Sequence, residues 1–218
     1  DARALLYEDV VDLLLWRWEA IKLEDARGDE TTWRQLLREA ELNDIDIKKV
    51  IWELAYRAHG QVRSEREPAA ESEATADIAE ADLLDALSRQ HPQQSLDWAR
   101  SLVQIMQQRA GLLVESRPRV YTFPHRTFQE YLAGRSLSVQ GGFSARAQEL
   151  ADQGVYWWEV ILLAVGWLVH SGQDEAPLFL VNELCPQPPA GADEIALRRA
   201  WLAGRVLIEI GLPRAQRH

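Results

Sequence analysis

The chain has 218 residues, 47% of them apolar, which is enough for one large domain or two small ones with packed cores. Its formal net charge of −10 argues against a nucleic-acid-binding protein, because phosphate contacts require clustered lysine and arginine. The single cysteine, Cys185, excludes disulfides within the chain and a metal site built from several thiolates. We therefore expect a protein of a reducing, cytoplasmic environment.

The N-terminal segment predicts a long helix. Apolar residues recur at helical spacing from Arg3 to about Lys22. They cover a broad arc, which indicates that the helix is buried on more than one side. Asp1 leads into this pattern without an initiator methionine, and we expect the chain to be a fragment of a longer protein.

Two shorter helices are predicted next. Thr32 and Gln35 have the spacing of a capping box, in which each side chain bonds the backbone N–H of the other. The helix that they start should reach about Leu42. Asp44 is the expected cap of the third helix, and Gly60 is its expected C-terminal stop, because glycine readily adopts the left-handed conformation that ends a helix.

The middle of the chain contains a loop, two helices and a hairpin. Residues 63–76 lack an apolar face and are rich in glutamate, which predicts a flexible acidic loop. Helical patterns follow at 80–89 and 95–109. Two short strand-like runs, at 112–116 and 119–123, flank a proline turn and indicate a β-hairpin.

The rest of the chain predicts helices only. Pro124 opens a helix that should run to about Val139. Further helices are predicted at 144–152, 155–170, 175–184 and 193–211. The most apolar of them is shorter than the roughly 20 residues that span a bilayer, so we expect a buried helix. Two antiparallel helix pairs, the building unit of HEAT-like solenoids, are one interpretation, although no clear repeat period is present.

This order of elements favours a mainly α fold. Several helices followed by one hairpin predict a winged-helix domain at 1–139, in which the hairpin is the wing. An α-helical domain should follow at 142–218. A plain helical bundle with an attached hairpin is the alternative.

The run from Phe123 to Ala133 resembles a known family pattern. It matches Phe-x-His-x-Thr/Ser-Phe-x-Glu-Tyr/Phe-Leu-Ala, which is typical of NACHT-domain NTPases. These are signalling ATPases of the STAND class, and they include animal NOD-like receptors and many bacterial proteins. The upstream Arg109 to Leu113 matches the Arg-x-Gly-Leu-Leu that leads into the wing of that family. The resemblance covers about residues 3–138.

The resemblance implies a regulatory segment that is not an enzyme by itself. In such proteins an ATPase core holds ADP or ATP with magnesium, and the winged helix closes over ADP to keep the inactive state. The implied partner is therefore the NACHT core of the same polypeptide, with self-association on activation. The phosphate-binding Gly-x-x-x-x-Gly-Lys-Ser/Thr loop does not occur among these 218 residues. Defence signalling is a frequent role of bacterial members.

His125 is the candidate nucleotide-binding residue, because it matches the histidine of the family that contacts the β-phosphate of ADP. An imidazole N–H can donate to a phosphate oxygen, and a helix N-terminus beside it favours an anion. Without the resemblance, His125 is most simply a helix-start or interface histidine. Thr127 belongs to the same motif.

The other motif residues are expected to be structural. Phe123, Phe128 and Tyr131 should pack in the core, and Glu130 should hold a local arginine or a cap. No catalytic group and no metal-ligand spacing is readable. An alternative function is a winged-helix nucleic-acid-binding module. It rests on six arginines, at positions 100, 109, 117, 119, 126 and 135.

Overall fold

A computed structural model describes residues 2–19, 22–24, 30–65, 75–108, 112–186 and 193–211. The described part is mainly helical, as predicted, with one three-stranded and one two-stranded sheet. By their contacts the residues form two compact units. We call residues 8–132 the wing unit, and residues 1–7 with 133–218 the tail unit.

The chain begins with helix α1, a strand pair and two helices. Their bounds are α1 Ala2–Glu19, β1 Lys22–Glu24, β2 Glu30–Thr32, α2 Trp33–Glu39 and α3 Asp44–Glu65. The antiparallel pair β1–β2 was not predicted from the sequence. Broad burial of α1 is also wrong for its described side chains, because Val11 is buried but Leu13 is 51% exposed.

The capping box of α2 is confirmed, and the predicted cap of α3 is corrected. The backbone N–H of Gln35 donates to Thr32 Oγ1 over 3.3 Å, and the N–H of Thr32 donates to Gln35 Oε1 over 2.7 Å. Helix α3 is capped by Asn43, whose Oδ1 accepts from the N–H groups of Ile45 and Asp46. Asp44 instead accepts from the indole N–H of the buried Trp33, at 2.8 Å.

Gly60 does not end α3, which continues to Glu65. An interior glycine weakens a helix by only about 1 kcal/mol relative to alanine. Ala58 and His59 are buried immediately before it, and their packing holds this part of the helix in place. The predicted acidic loop at 63–76 falls mainly on 66–74, outside the described residues.

The chain continues with a small sheet and helices that were predicted within a few residues. The bounds are β3 Ile78–Ala79, α4 Glu80–Ser88, α5 Leu96–Gln108, β4 Val114–Arg117, β5 Val120–Thr122 and α6 Arg126–Ser138. Strand β5 lies between β3 and β4 and is antiparallel to both. The hairpin β4–β5 is therefore confirmed, and β3 is an additional strand that the sequence did not predict. Arg119 takes a positive φ of 64° in the turn between β4 and β5.

The described part of the tail unit consists of helices, as predicted. They are α7 Phe143–Gln153, α8 Trp158–His170, α9 Glu175–Leu184 and α10 Glu194–Ile210, with a 3₁₀ turn at Val155–Trp157. Helix α8 is buried along most of its length, which confirms the interpretation of its apolar sequence. Within the described ranges, no helix is both long enough and apolar enough to cross a membrane.

A glycine sets the approach of α6 to α8 in the tail unit. A Cβ atom on Gly134 would lie 2.9 Å from the carbonyl oxygen of Val160 and 3.1 Å from the nitrogen of Ala164. Such distances are shorter than van der Waals contact, so the backbones can approach this closely only because residue 134 lacks a side chain. At the next residue, the guanidinium of Arg135 stacks 3.5 Å above the ring of Trp167.

Candidate nucleotide-contact site

The loop between β5 and α6 is fixed by two buried phenylalanines. Phe123 follows β5 and is 1% exposed, and Phe128 in the first turn of α6 is 5% exposed. Their ring centroids are 6.4 Å apart in an edge-to-face arrangement, which is a favourable geometry for aromatic pairs. The chain between them has little freedom, because both ends are anchored in the core.

His125 lies in this anchored loop with its side chain exposed. Its carbonyl oxygen accepts from the N–H groups of Phe128 and Gln129, both at 3.1 Å, so His125 occupies the cap position of α6. The helix therefore begins at Arg126, two residues later than the predicted start at Pro124. Among the described residues, no hydrogen bond of the His125 ring to another side chain or to the backbone is seen.

The surroundings of His125 favour an anion. The first N–H groups of a helix lack partners within it and carry a partial positive charge. Thr127 is exposed in this first turn, where its hydroxyl can also donate. The carboxylate of Glu130 would oppose an anion, but it accepts from Arg126 Nε at 2.9 Å. The acid is thereby compensated, and the start of α6 stays electropositive.

Three of the remaining motif residues lie in the core, and the fourth pairs with an arginine. Phe123, Phe128 and Tyr131 are buried, and Glu130 holds a local arginine. Tyr131 is fully buried, and its hydroxyl donates to the carboxylate of Glu8 in α1.

Gln129 is a structural residue that sequence reasoning missed. Its side chain is buried, and its Oε1 accepts from the backbone N–H of Ala76 at 2.9 Å. This bond ties α6 to the segment that leads into β3. Its partner lies 53 residues away, so no local pattern could have identified the contact. A buried polar position between Phe128 and Tyr131 was the one available signal.

A tyrosine lies in the same sheet just before the site. Tyr121 in β5 pairs with Ile78 of β3 and with Glu115 of β4. Burial raises the pKa of its hydroxyl, and the negative charges of Glu80 and Glu115 raise this pKa further. The phenol therefore stays protonated at neutral pH.

Comparison with protein families identifies this arrangement. Residues 3–137, more than half of the chain, match the family described as the winged helix-turn-helix domain C-terminal to NACHT. The chain belongs to this family. The match includes the hairpin β4–β5, which is the wing, and the start of α6 with His125. No curated protein and no solved structure matched the chain.

The family assignment confirms the resemblance read from the sequence. A winged helix-turn-helix domain C-terminal to NACHT is an accessory domain and not a catalytic one, which supports a regulatory part in a NACHT protein. The assignment does not test the role of any single residue. Contact of His125 with a phosphate therefore stays a prediction, as does the domain division at 139 and 142.

Proposed function

We propose that this domain is a regulatory segment of a NACHT signalling ATPase and closes over ADP bound by the ATPase core of the same polypeptide. In this proposal His125 donates to the β-phosphate in the closed state, and activation separates the two. The observation that carries the proposal is an exposed histidine at the N-terminal end of α6, in a loop that the buried Phe123 and Phe128 anchor in the core. The ATPase core would bind ADP or ATP together with magnesium. We expect the protein to act in the cytoplasm, with bacterial defence signalling as a candidate role.

The proposal depends on a selective contact. A group that touches ADP only in the closed arrangement shifts the equilibrium by the free energy of that contact and no more. A hydrogen bond to a charged partner is worth about 1.5–3 kcal/mol. Since Phe123 and Phe128 already fix the loop, little conformational entropy is lost when the ring of His125 meets a phosphate.

The test uses the whole NACHT protein that carries this domain, with His125→Ala compared with the wild type. The expected result is ADP affinity weaker by about 10- to 100-fold, together with raised basal signalling. His170→Ala is the matched control, because His170 is also an exposed histidine but lies at the C-terminal end of α8. Unchanged ADP affinity and unchanged basal signalling in His125→Ala would refute the proposal.

The nucleic-acid alternative has less support from the described arginines. Arg100 pairs with Asp97 at 2.8 Å, Arg117 with Asp77, Arg119 with Glu80 at 3.8 Å, and Arg126 with Glu130 at 2.9 Å. Arg135 is buried against Trp167, and Arg109 lies outside the described residues. The wing therefore presents paired charges instead of a basic face. Saturable, steeply salt-dependent binding to duplex DNA in a fluorescence titration would overturn this preference.

A further inference from the structure

Helix α10 has apolar residues on two opposite faces. One face packs within the tail unit through the buried Leu202, Val206 and Ile210. On the other face, Leu197, Trp201 and Ile208 are 49%, 66% and 70% exposed. At 3.6 residues per turn these three positions form one stripe along the helix, together with Gly204. We call these four residues the outer stripe.

Gly204 has no role that the tail unit explains. A Cβ atom at this position would meet nothing within 4 Å, in contrast to Gly134, where the glycine permits close packing of α6 against α8. A glycine inside a helix costs about 1 kcal/mol relative to alanine. Placed in the middle of an exposed apolar stripe, it offers a hollow into which a bulky side chain of another helix can fit.

The outer stripe has a symmetric spacing. Its members are separated by four, three and four residues, in the order Leu197, Trp201, Gly204 and Ile208. When such a stripe meets a second copy of itself in an antiparallel arrangement, the large Trp201 lies opposite the small Gly204. Leu197 then lies opposite Ile208. Each contact occurs twice, which is the condition for a two-fold symmetric interface.

We propose that the outer stripe of α10 binds the same stripe of a second copy of the chain, with the two helices antiparallel. The charges around the stripe support this occupant. The stripe contains no charged residue, and the arginines beside it are paired within their own chain, Arg198 with Glu194 at 2.5 Å and Arg205 with Glu159 at 3.5 Å. A partner that bound through charge would find little to pair with, whereas an equally apolar stripe fits.

The size of the stripe sets the strength of the dimer. A contact between two single helices buries less than the roughly 1,200 Å² of a standard protein interface. The dimer should therefore form reversibly and at high protein concentration. The proposal does not depend on His125 or on nucleotide, so it can fail without affecting the proposed function.

The first experiment measures mass by sedimentation equilibrium of the 218-residue chain, in a concentration series up to about 1 mM. The wild type should shift from monomer to dimer. Trp201→Glu should remain monomeric, while Phe179→Glu, which changes an equally exposed apolar residue on α9, should dimerise like the wild type. A wild type that is monomeric throughout, or a Trp201→Glu variant that still dimerises, overturns the proposal and leaves the stripe for a helix of another protein.

Gly204→Leu separates the proposal from a purely structural role. The better helix former should raise the melting temperature by about 2–4 °C, because its Cβ meets open space. It should also abolish the dimer, because it fills the hollow opposite Trp201. Dimerisation that survives this substitution contradicts the predicted contact.

Engineered cysteines test the antiparallel register, in a chain with Cys185→Ser. Leu197→Cys combined with Ile208→Cys should give a disulfide-linked dimer under mild oxidation. Either substitution alone should not, because residues 197 of the two copies would be about 16 Å apart in this arrangement. Efficient cross-linking of Leu197→Cys alone would mean a parallel arrangement and would refute the proposed pairing.

Discussion

The wing unit and the tail unit each expose residues that their own packing does not require, but of opposite chemical kinds. In the wing unit, the buried Phe123 and Phe128 hold a polar residue, His125, at the surface. In the tail unit, the buried face of α10 supports the exposed apolar outer stripe, with Trp201 66% exposed. In both places a rigid buried frame fixes the geometry of what is exposed.

The difference indicates the kind of partner for each surface. An exposed histidine at the N-terminus of a helix can compensate a negative charge, which suits a small anionic ligand. An exposed apolar stripe gains free energy only when water is removed from it, which suits another protein surface. The comparison holds only if buried supporting residues and exposed residues behave differently when substituted, and the following four predictions test this.

The largest effect is expected for the frame of the wing unit. Phe128→Ala removes a buried ring and should lower the free energy of unfolding by about 3–5 kcal/mol, because a cavity remains. His125→Ala changes an exposed side chain and should alter it by less than about 0.5 kcal/mol. Urea unfolding followed by circular dichroism measures both. Equal losses would mean that His125 belongs to the frame.

The next effect distinguishes the two helical glycines of the tail unit. Gly134→Ala forces the backbones of α6 and α8 apart and should cost up to about 3 kcal/mol. Gly204→Ala meets no neighbour and should stabilise the monomer by up to about 1 kcal/mol. Thermal unfolding of dilute samples would show the opposite signs. A loss of stability in Gly204→Ala would contradict the open space around residue 204.

A smaller loss is expected when Gln129 is changed to leucine. The substitution keeps the volume but leaves the N–H of Ala76 buried without its acceptor, which should cost about 2 kcal/mol. Hydrogen exchange should become faster at Ala76 and at β3, while α4 keeps its protection. Gln104→Leu, an exposed position on α5, is the control. Unchanged hydrogen exchange at Ala76 in Gln129→Leu would show that another acceptor bonds the N–H of Ala76.

The smallest effect concerns pH. The pKa of Tyr121 is raised in the folded chain, so the folded state holds this proton more tightly than the unfolded state does. The resulting stability is fully present below the ordinary tyrosine pKa of about 10 and is lost as pH rises through the folded value. Tyr121→Phe should therefore flatten the decline of the urea midpoint above about pH 10. An unchanged decline in Tyr121→Phe would mean that other groups cause the loss of stability at high pH.

Much of this fold was predictable from local pattern. The helices α4 to α10 carry clear helical periodicity, and the capping box of Thr32 and Gln35 is a short-range signal. The strands β1, β2 and β3 have only two or three residues each, too few for an alternating pattern to appear. The cap of α3 is Asn43 and not the predicted Asp44. The carboxylate of Asp44 instead accepts from the indole N–H of Trp33, which lies eleven residues earlier in the chain.

The position of the candidate site was predictable from the sequence, but the long-range hydrogen bonds that hold α6 in place were not. The motif placed His125 at the junction of β5 and α6, and periodicity placed Phe128 and Tyr131 in the core. The bond from Ala76 to Gln129 and that from Tyr131 to Glu8 join residues far apart in sequence. Such contacts follow from tertiary packing, which local propensities do not encode.

The attachment of β3 has a consequence for the order of folding. This two-residue strand pairs with β5, and its lead-in is held by Gln129 across 53 residues of chain. Closing so long a loop is entropically costly and is repaid by few contacts. We therefore expect the hairpin and α6 to form first and the segment 75–79 to dock last, so that refolding followed at Ala76 lags behind refolding followed at Phe128.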